Sequence, residues 1–180
     1  MPMREWDKIE EAEHFLAQMG AAQQDRDARK FKHNLSAFLT ASRSVLQYAL
    51  GKAKKGSRRW KWYDNWMKKS TMFTFFKGKR NDNIHEQPVT PKRNIRVTID
   101  LPVQTSVHIA KLDKHFKLIE QRDLSEKGSV ARTSEISVTT RYFFDDWTGS
   151  DDVLTLCQKY VNDLKLFVQD GIVKGFLTAT

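Results

Sequence analysis

The segment Phe75–Pro88, which reads FFKGKRNDNIHEQP, places an arginine, an asparagine and a histidine within two helical turns. These residues are Arg80, Asn81 and His85. An arginine binds a phosphate through two parallel hydrogen bonds and stabilises the charge of a pentacoordinate transition state. A histidine titrates near neutral pH, so it can take a proton from a 2′-hydroxyl or give one to a leaving oxygen. An asparagine can orient either partner, and the set therefore suits cleavage of a phosphodiester without a metal.

The spacing of these three residues predicts where their side chains lie if the segment is an α-helix. Asn81 and His85 are four residues apart, so they stand one above the other on one face. Arg80 and His85 are then about 140° apart around the axis, although the long arginine side chain can swing toward the same surface. A structural interpretation is also open, because Arg80 can pair with Asp82 or Glu86 and His85 can close the helix near its last carbonyls.

The positive charge of the chain is concentrated just before this motif. From Lys52 to Arg80 there are 11 lysines or arginines and one acidic residue, while the rest of the chain has 20 basic and 21 acidic residues. A dense basic tract attracts polyanions through phosphate contacts and counterion release. A solvated helix face with a lysine-rich loop is the alternative interpretation. The predicted nucleic-acid-binding residues are Arg58, Arg59, Lys61, Lys68, Lys69, Lys77 and Lys79.

Composition limits the kinds of functional site and the cellular locations that are consistent with the sequence. The one cysteine, Cys157, excludes an internal disulfide framework and a zinc site built on cysteine pairs. The five histidines show no close ligand spacing on one predicted helix, so we expect neither a metal nor a cofactor. The first residues, MPMREWDKIEEAEHF, are charged and do not resemble a signal peptide, and no apolar run reaches membrane-spanning length. A cytoplasmic location is the expectation.

Helices must position the motif, and periodic apolar residues predict them along most of the chain. We expect helices from Arg4 to about Ala22, from Ala28 to Leu50, over RRWKWYDNWMKK, from Ser70 to Pro88, and over the closing segment that follows Ser150. In the second helix the residues at steps of three and four predict one wide buried face. These residues are Phe31, Leu35, Phe38, Leu39, Ser42, Val45, Leu46 and Ala49.

Residue types at the helix ends predict caps, and the apolar residues near the motif predict a buried face. Gly51 is expected to end the second helix, Ser150 to cap the last, and Gly171 to end it. Ser70 is expected either to cap a fourth helix or to mark a bend where the third continues. In the fourth helix the predicted buried residues are Met72, Phe73, Phe75, Phe76 and Ile84. The aromatic residues of RRWKWYDNW could stack on nucleic-acid bases, but at helical spacing a place in the core is favoured.

Alternating residues predict strands between the fourth and the last helix. RNIRVTIDL places Ile95, Val97, Ile99 and Leu101 on one face, and SEISVTTRYFF alternates in the same way. Short connections favour an antiparallel meander of three or four strands. The predicted fold is therefore a single domain over residues 1–180, mainly α. It has a four- to five-helix bundle (residues 1–88 and 150–175) and an inserted antiparallel β-meander (residues 93–144).

The motif also resembles that of a known superfamily. RNDNIH fits the R-N-x-x-x-H signature of HEPN domains, an all-helical superfamily with many bacterial ribonucleases, in which the motif lies near the end of a bundle helix. The helix FLTASRSVLQYAL followed by FFKGKRNDNIHE also resembles a group of bacterial HEPN-like proteins. The resemblance covers residues 28–87 and the closing helix, and it does not extend to the predicted sheet.

This resemblance implies metal-independent cleavage of RNA through attack by a 2′-hydroxyl. It implies that His85 is the general acid or base, that Arg80 clamps the phosphate and that Asn81 orients the reacting groups. A homodimer with two facing motifs is implied as well, and so is an activity of toxin or phage-defence type with an antitoxin or another protein partner. Two further interpretations stay open: a non-catalytic module that binds nucleic acid or a nucleotide, and a structural protein whose residues 93–144 dock a partner.

Overall fold

The computed structural model describes residues 4–51, 53–100, 108–112, 118–123 and 135–178. The described helices are α1 (Arg4–Gln24), α2 (Ala28–Leu50), α3 (Arg58–Lys69), α4 (Thr71–Asn81) and α5 (Val153–Val173). A π-helical turn, Asp82–Glu86, follows α4 and is called the π turn below. The described strands are β1 (Lys92–Asp100), β2 (His108–Leu112), β3 (Leu118–Asp123) and β4 (Glu135–Phe143). The prediction of a mainly helical α+β fold is confirmed.

Contacts divide the chain into two compact units. The first unit is Met1–Ile95 with Thr140–Thr180, and it holds all the described helices; the second is Arg96–Thr139. None of the helices in the described part of the chain combines the length and the apolar character that crossing a bilayer requires.

The first unit is organised around α2, which contacts each of the other four helices. The buried face predicted for α2 is confirmed for all eight of its residues, and Ala41 is buried beside them. Rings from α4 and α5 fill the centre of the bundle: Phe76 stacks on Tyr160 with ring centroids 4.3 Å apart, and Phe73 meets Tyr160 edge to face. This burial raises the pKa of the Tyr160 hydroxyl. Because Phe73 and Phe76 are buried, the orientation of α4 is set by the core.

Three of the four aromatic residues of α3 pack in or against this core, as predicted, while Trp60 is half-buried outside it. Trp62 is buried and stacks on Phe167 of α5 at 4.6 Å, and Tyr63 is buried next to the same ring. Trp66 is half-buried and packs edge to face against Phe167. The indoles of Trp62 and Trp66 therefore pack against α5.

Two of the predicted helix caps are confirmed. Ser70 precedes α4, and its hydroxyl accepts a hydrogen bond from the Phe73 N–H at 3.2 Å. Gly51 ends α2 with a φ of 47°, and its N–H donates to the Gln47 carbonyl. These caps fix where α2 ends and where α4 begins.

The ends predicted for α5 were wrong. Its N-cap is Asp152 and not Ser150, since the Asp152 carboxylate accepts from the Thr155 N–H at 2.9 Å. Gly171 does not end α5, which continues to Val173. A Cβ at Gly171 would lie 2.7 Å from Leu177 Cδ1 and 2.8 Å from Trp62 Cη2. The glycine therefore lets these two side chains pack directly on the α5 backbone.

The strands pair in a nested order. β1 pairs with β4, and β2 pairs with β3 in antiparallel register from His108–Asp123 to Leu112–Leu118. This pairing differs from a meander in which each strand pairs with its successor, because β1 and β4 are the partners that lie farthest apart in the chain. Ile95 and Val97 of β1 are 51% and 54% exposed. Leu101, which was predicted to continue this face, lies outside the described residues.

Candidate functional site

The π turn that follows α4 carries the second half of the predicted motif. At the end of α4 the Asp82 N–H donates to the carbonyls of Gly78 and Lys79. Five residues further on, the Gln87 N–H donates to the Asp82 carbonyl at 3.0 Å, which is the i→i+5 bond of a π turn. Such turns hold one more residue than an α-helical turn and are frequent at functional sites.

Asn83 holds the π turn in place through both ends of its amide. Its Nδ2 donates to Ser36 Oγ of α2 at 2.7 Å, and its Oδ1 accepts from the Val89 N–H at 3.2 Å. The first bond joins residues 47 positions apart, so the turn is attached to the bundle rather than only to its own helix. The sequence-based prediction did not include Asn83. Its position inside the motif, between Asn81 and His85, is the sequence feature that could have indicated it.

The three predicted catalytic residues differ in exposure. Asn81 and His85 are exposed, and Arg80 is half-buried. The Nε of Arg80 is buried and has no hydrogen-bond partner within the described part of the chain. A buried donor without an acceptor costs about 1–3 kcal/mol, and because this Nε is closed to solvent it is not itself a site for an external anion.

The prediction that the motif lies on a regular α-helix was wrong, because the π turn begins at Asp82. The wider turn brings residues five positions apart closer to alignment than an α-helix does. Arg80 and His85 are therefore closer to a common face than the angle of about 140° expected on an α-helix. The same change of phase explains why Ile84, predicted to be buried, is 47% exposed.

Lys79, predicted to contact nucleic acid, is used inside the protein instead. Its ammonium lies 2.7 Å from the carboxylate of Asp146 and 3.9 Å from that of Asp82. It also lies 5.5 Å from the ring centroids of Phe75 and Phe144. The side chain is 13% exposed, so its charge is neutralised locally and is not offered to a phosphate.

Arg59 is a second predicted binding residue that has a structural role. Its Nε donates to the carbonyl of Ala49 at 2.7 Å, and its Nη2 donates to that of Tyr48 at 3.3 Å. The guanidinium thus satisfies carbonyls in the last turn of α2, which have no partner in the helix itself. Lys68 remains exposed but pairs with Asp64 at 2.7 Å.

The remaining predicted binding residues are exposed. They form no ion pair with any other residue that the structure describes. These residues are Arg58, Lys61, Lys69 and Lys77. The basic tract therefore contributes a smaller set of available cations than its composition suggests.

A cleft of about 820 Å³ lies between α3 and α5 and contains three of these four cations. We call it the α3–α5 cleft. Arg58, Lys61 and Lys69 contribute to its α3 side, and Asp163 and Asp170 contribute to its α5 side. Trp66 and Phe176, both half-buried, add aromatic surface to the lining. Burial raises the pKa of Asp163.

Asp170 organises the α5 side of the cleft and was missed by sequence reasoning. One oxygen, Oδ2, accepts from the indole N–H groups of Trp62 at 2.7 Å and Trp66 at 2.9 Å. Lys174 donates to the same carboxylate at 2.9 Å. Burial raises the pKa of Asp170, but the hydrogen bonds from Lys174, Trp66 and Trp62 lower it by more, so the net pKa lies below its ordinary value. Both indole rings are therefore fixed in orientation.

A second cavity, of about 590 Å³, lies beside the π turn and has the opposite character. Asp82, Asp145 and Asp146 line it together with Lys79. Asp145 also pairs with Lys92 at 3.2 Å. Three carboxylates in one cavity disfavour a phosphate there. In the described part of the chain no three histidine, cysteine or carboxylate side chains are grouped to hold a metal ion.

The chain matches no protein-family model, no curated protein and no solved structure. Its function must therefore be inferred from the side chains of α4, the π turn and the α3–α5 cleft. Together they place an imidazole, an amide, an arginine and a set of lysines that form no ion pair with the described residues on one bundle of helices.

Proposed function

We propose that the protein is a metal-independent endoribonuclease of the HEPN type, with Arg80, Asn81 and His85 as its catalytic residues. The observation that carries this proposal is the π turn after α4. It leaves Asn81 and His85 exposed next to a half-buried arginine. A guanidinium, an amide and an imidazole are sufficient for phosphodiester cleavage by a neighbouring hydroxyl.

In this reaction His85 removes the proton from the 2′-hydroxyl, and the resulting oxygen nucleophile attacks the adjacent phosphorus. The bond from phosphorus to the 5′-oxygen breaks, and a general acid gives that oxygen a proton. The products are a 2′,3′-cyclic phosphate and a 5′-hydroxyl. Arg80 holds the phosphate and stabilises the charge that develops on its oxygens, while Asn81 orients the phosphate or the attacking hydroxyl.

A second copy of the chain would complete the site. An exposed helix end has no opposite wall, and a single imidazole cannot serve as base and acid in one step. Ile84, which precedes His85, is a large apolar side chain left 47% exposed. A two-fold dimer that covers Ile84 brings each motif opposite its copy, so the second His85 supplies the general acid.

The exposed cations also support a second candidate function, which is binding of nucleic acid without cleavage. Arg58, Lys61, Lys69 and Lys77 suffice to attract a polyanion whether or not His85 transfers a proton. The two functions differ in whether the protein cuts RNA, and in whether loss of the His85 imidazole abolishes that cutting.

The test is incubation of purified protein with single-stranded RNA in the presence of a chelator, followed by analysis of the product ends. We expect 2′,3′-cyclic phosphate and 5′-hydroxyl ends. The His85→Ala protein should cut more slowly by roughly 100-fold or more while keeping its affinity for RNA. His33→Ala removes an exposed imidazole from α2 and is the matched control, which should cut normally. Intact RNA with the wild-type protein and unchanged binding would leave the binding function instead.

A further inference from the structure

An exposed stripe runs along the whole of α4 and into the π turn. Its residues follow one another at steps of three or four, so they share one face of the helix. They are Thr71, Thr74, Lys77, Asn81 and His85, and all are exposed. The 11 residues of α4 extend over about 16 Å. No acidic residue belongs to the stripe, so it offers a continuous path to a polyanion.

The start of this stripe is next in the chain to residues that line the α3–α5 cleft. Lys69 and Ser70 belong to the cleft lining, and Thr71, the first residue of the stripe, follows them directly. The far end of the stripe is the motif itself. The cleft and His85 therefore lie at opposite ends of one exposed helix face, separated by a distance that a few nucleotides of extended strand can span.

The lining of the cleft divides by chemistry. Its α3 side contributes Arg58, Lys61 and Lys69, none of which pairs with a described carboxylate. Its α5 side contributes two carboxylates and Lys174, whose ammonium together with two indoles satisfies Asp170. Phosphates therefore belong on the α3 side, while bases belong against the aromatic surface and the α5 side, where Asp163 can accept from an amino group. Aromatic surface beside a row of cations is typical of sites for single-stranded nucleic acid.

We propose that the α3–α5 cleft holds a segment of single-stranded RNA next to the segment that is cut, and that the stripe along α4 guides the strand to His85. This inference rests on the proposed function, because it makes the cleft an accessory binding site of the same nuclease. It assigns Lys61 and Lys69 to the phosphates of that flanking segment and places a base on Phe176 and Trp66.

The experiment measures binding separately from cutting. Single-stranded oligonucleotides of about eight nucleotides, within the site sizes of single-strand-binding proteins, carry a fluorescent label and are titrated with His85→Ala protein. In that background, Lys61→Ala with Lys69→Ala removes two cations from the cleft. Lys54→Ala with Lys55→Ala is the matched control, because it removes the same charge from two exposed lysines of the same tract that do not line the cleft.

We expect the cleft variant to bind roughly tenfold or more weakly than the parent. The slope of log affinity against log salt concentration should also fall in magnitude by about 1.4, which corresponds to two lost phosphate contacts on a single strand. The control should lose less than about threefold, the effect of two distant surface charges. Equal weakening by both variants would overturn the inference, since only the net charge would then matter. The cutting assay on wild-type protein decides the proposed function independently, because the binding comparison never depends on cleavage.

Discussion

Replacing Asp170 by asparagine tests the network that fixes the α5 side of the cleft. The carboxylate accepts from Trp62, Trp66 and Lys174, and the two indole bonds end on a single oxygen. Asparagine keeps the shape of the side chain and one acceptor oxygen but loses the charge. The substitution therefore removes charge assistance from bonds that link α3 to α5 across more than 100 positions of the chain.

The expected loss of stability follows from the number of bonds. A hydrogen bond to a charged group contributes about 1.5–3 kcal/mol, and a neutral one about 0.5–1.5 kcal/mol. Two indole bonds therefore lose about 2 kcal/mol at neutral pH. The i,i+4 pair with Lys174 adds only about 0.3–0.5 kcal/mol because it is more exposed. For a chain of 180 residues this lowers Tm by roughly 4–8 °C.

The stability lost in Asp170→Asn should depend on pH in a direction that can be predicted. The pKa of Asp170 is lower in the folded protein than its ordinary value of 3.8. Its contribution is therefore complete above that ordinary value and is lost as the pH falls through the folded pKa. The difference in unfolding free energy between wild type and Asp170→Asn should be constant from pH 7 to pH 5 and should shrink below about pH 3.8.

Urea unfolding followed by tryptophan fluorescence measures this difference at each pH. Asp64→Asn is the matched control, because it removes a carboxylate of similar exposure whose ion-pair partner among the described residues is Lys68. The control should cost less than about 0.5 kcal/mol at any pH. A difference for Asp170→Asn that stays constant down to pH 3, or that is no larger than the control, would refute the account of a charge-assisted network.

Two further substitutions address the packing of α5 and the proposed dimer. Gly171→Ala places a methyl group 2.7 Å from Leu177 and should destabilise the fold by about 1–3 kcal/mol; Gly20→Ala, at a helical glycine with open space around it, should not lower Tm. Ile84→Glu places a charge at the exposed apolar position next to His85. It should shift the protein from dimer to monomer in analytical ultracentrifugation, and it should reduce cutting by roughly tenfold or more. A monomeric wild type that cuts RNA would contradict the two-fold site.

Local signals in the sequence predicted most of the helical framework. The buried face of α2 follows from apolar residues at steps of three and four, and Gly51 and Ser70 act as caps through bonds to atoms within four residues. The end of α5 shows the limit of such signals. Gly171 has the residue type of a helix end, yet it lies inside α5, where the side chains of Leu177 and Trp62 pack on it.

The site depends more strongly on contacts between distant residues. The motif and its charge are visible in the sequence, but the π turn that follows Arg80 and Asn81 is attached to the bundle by the bond from Asn83 to Ser36, 47 positions away. A count of charges in the sequence also does not show which lysines are available to a ligand. Lys79 is neutralised by Asp146, whereas Lys61 has no described partner.

The sequence by itself therefore determined which segments form most of the helices and strands, and the position of the basic tract, because periodicity and capping act between residues a few positions apart. Only the tertiary structure decided which cations remain available, where the helix widens at the motif and how Asp170 binds two indoles. These features arise from pairs of side chains that meet only after the chain has folded, and a pattern confined to neighbouring residues carries no signal of them.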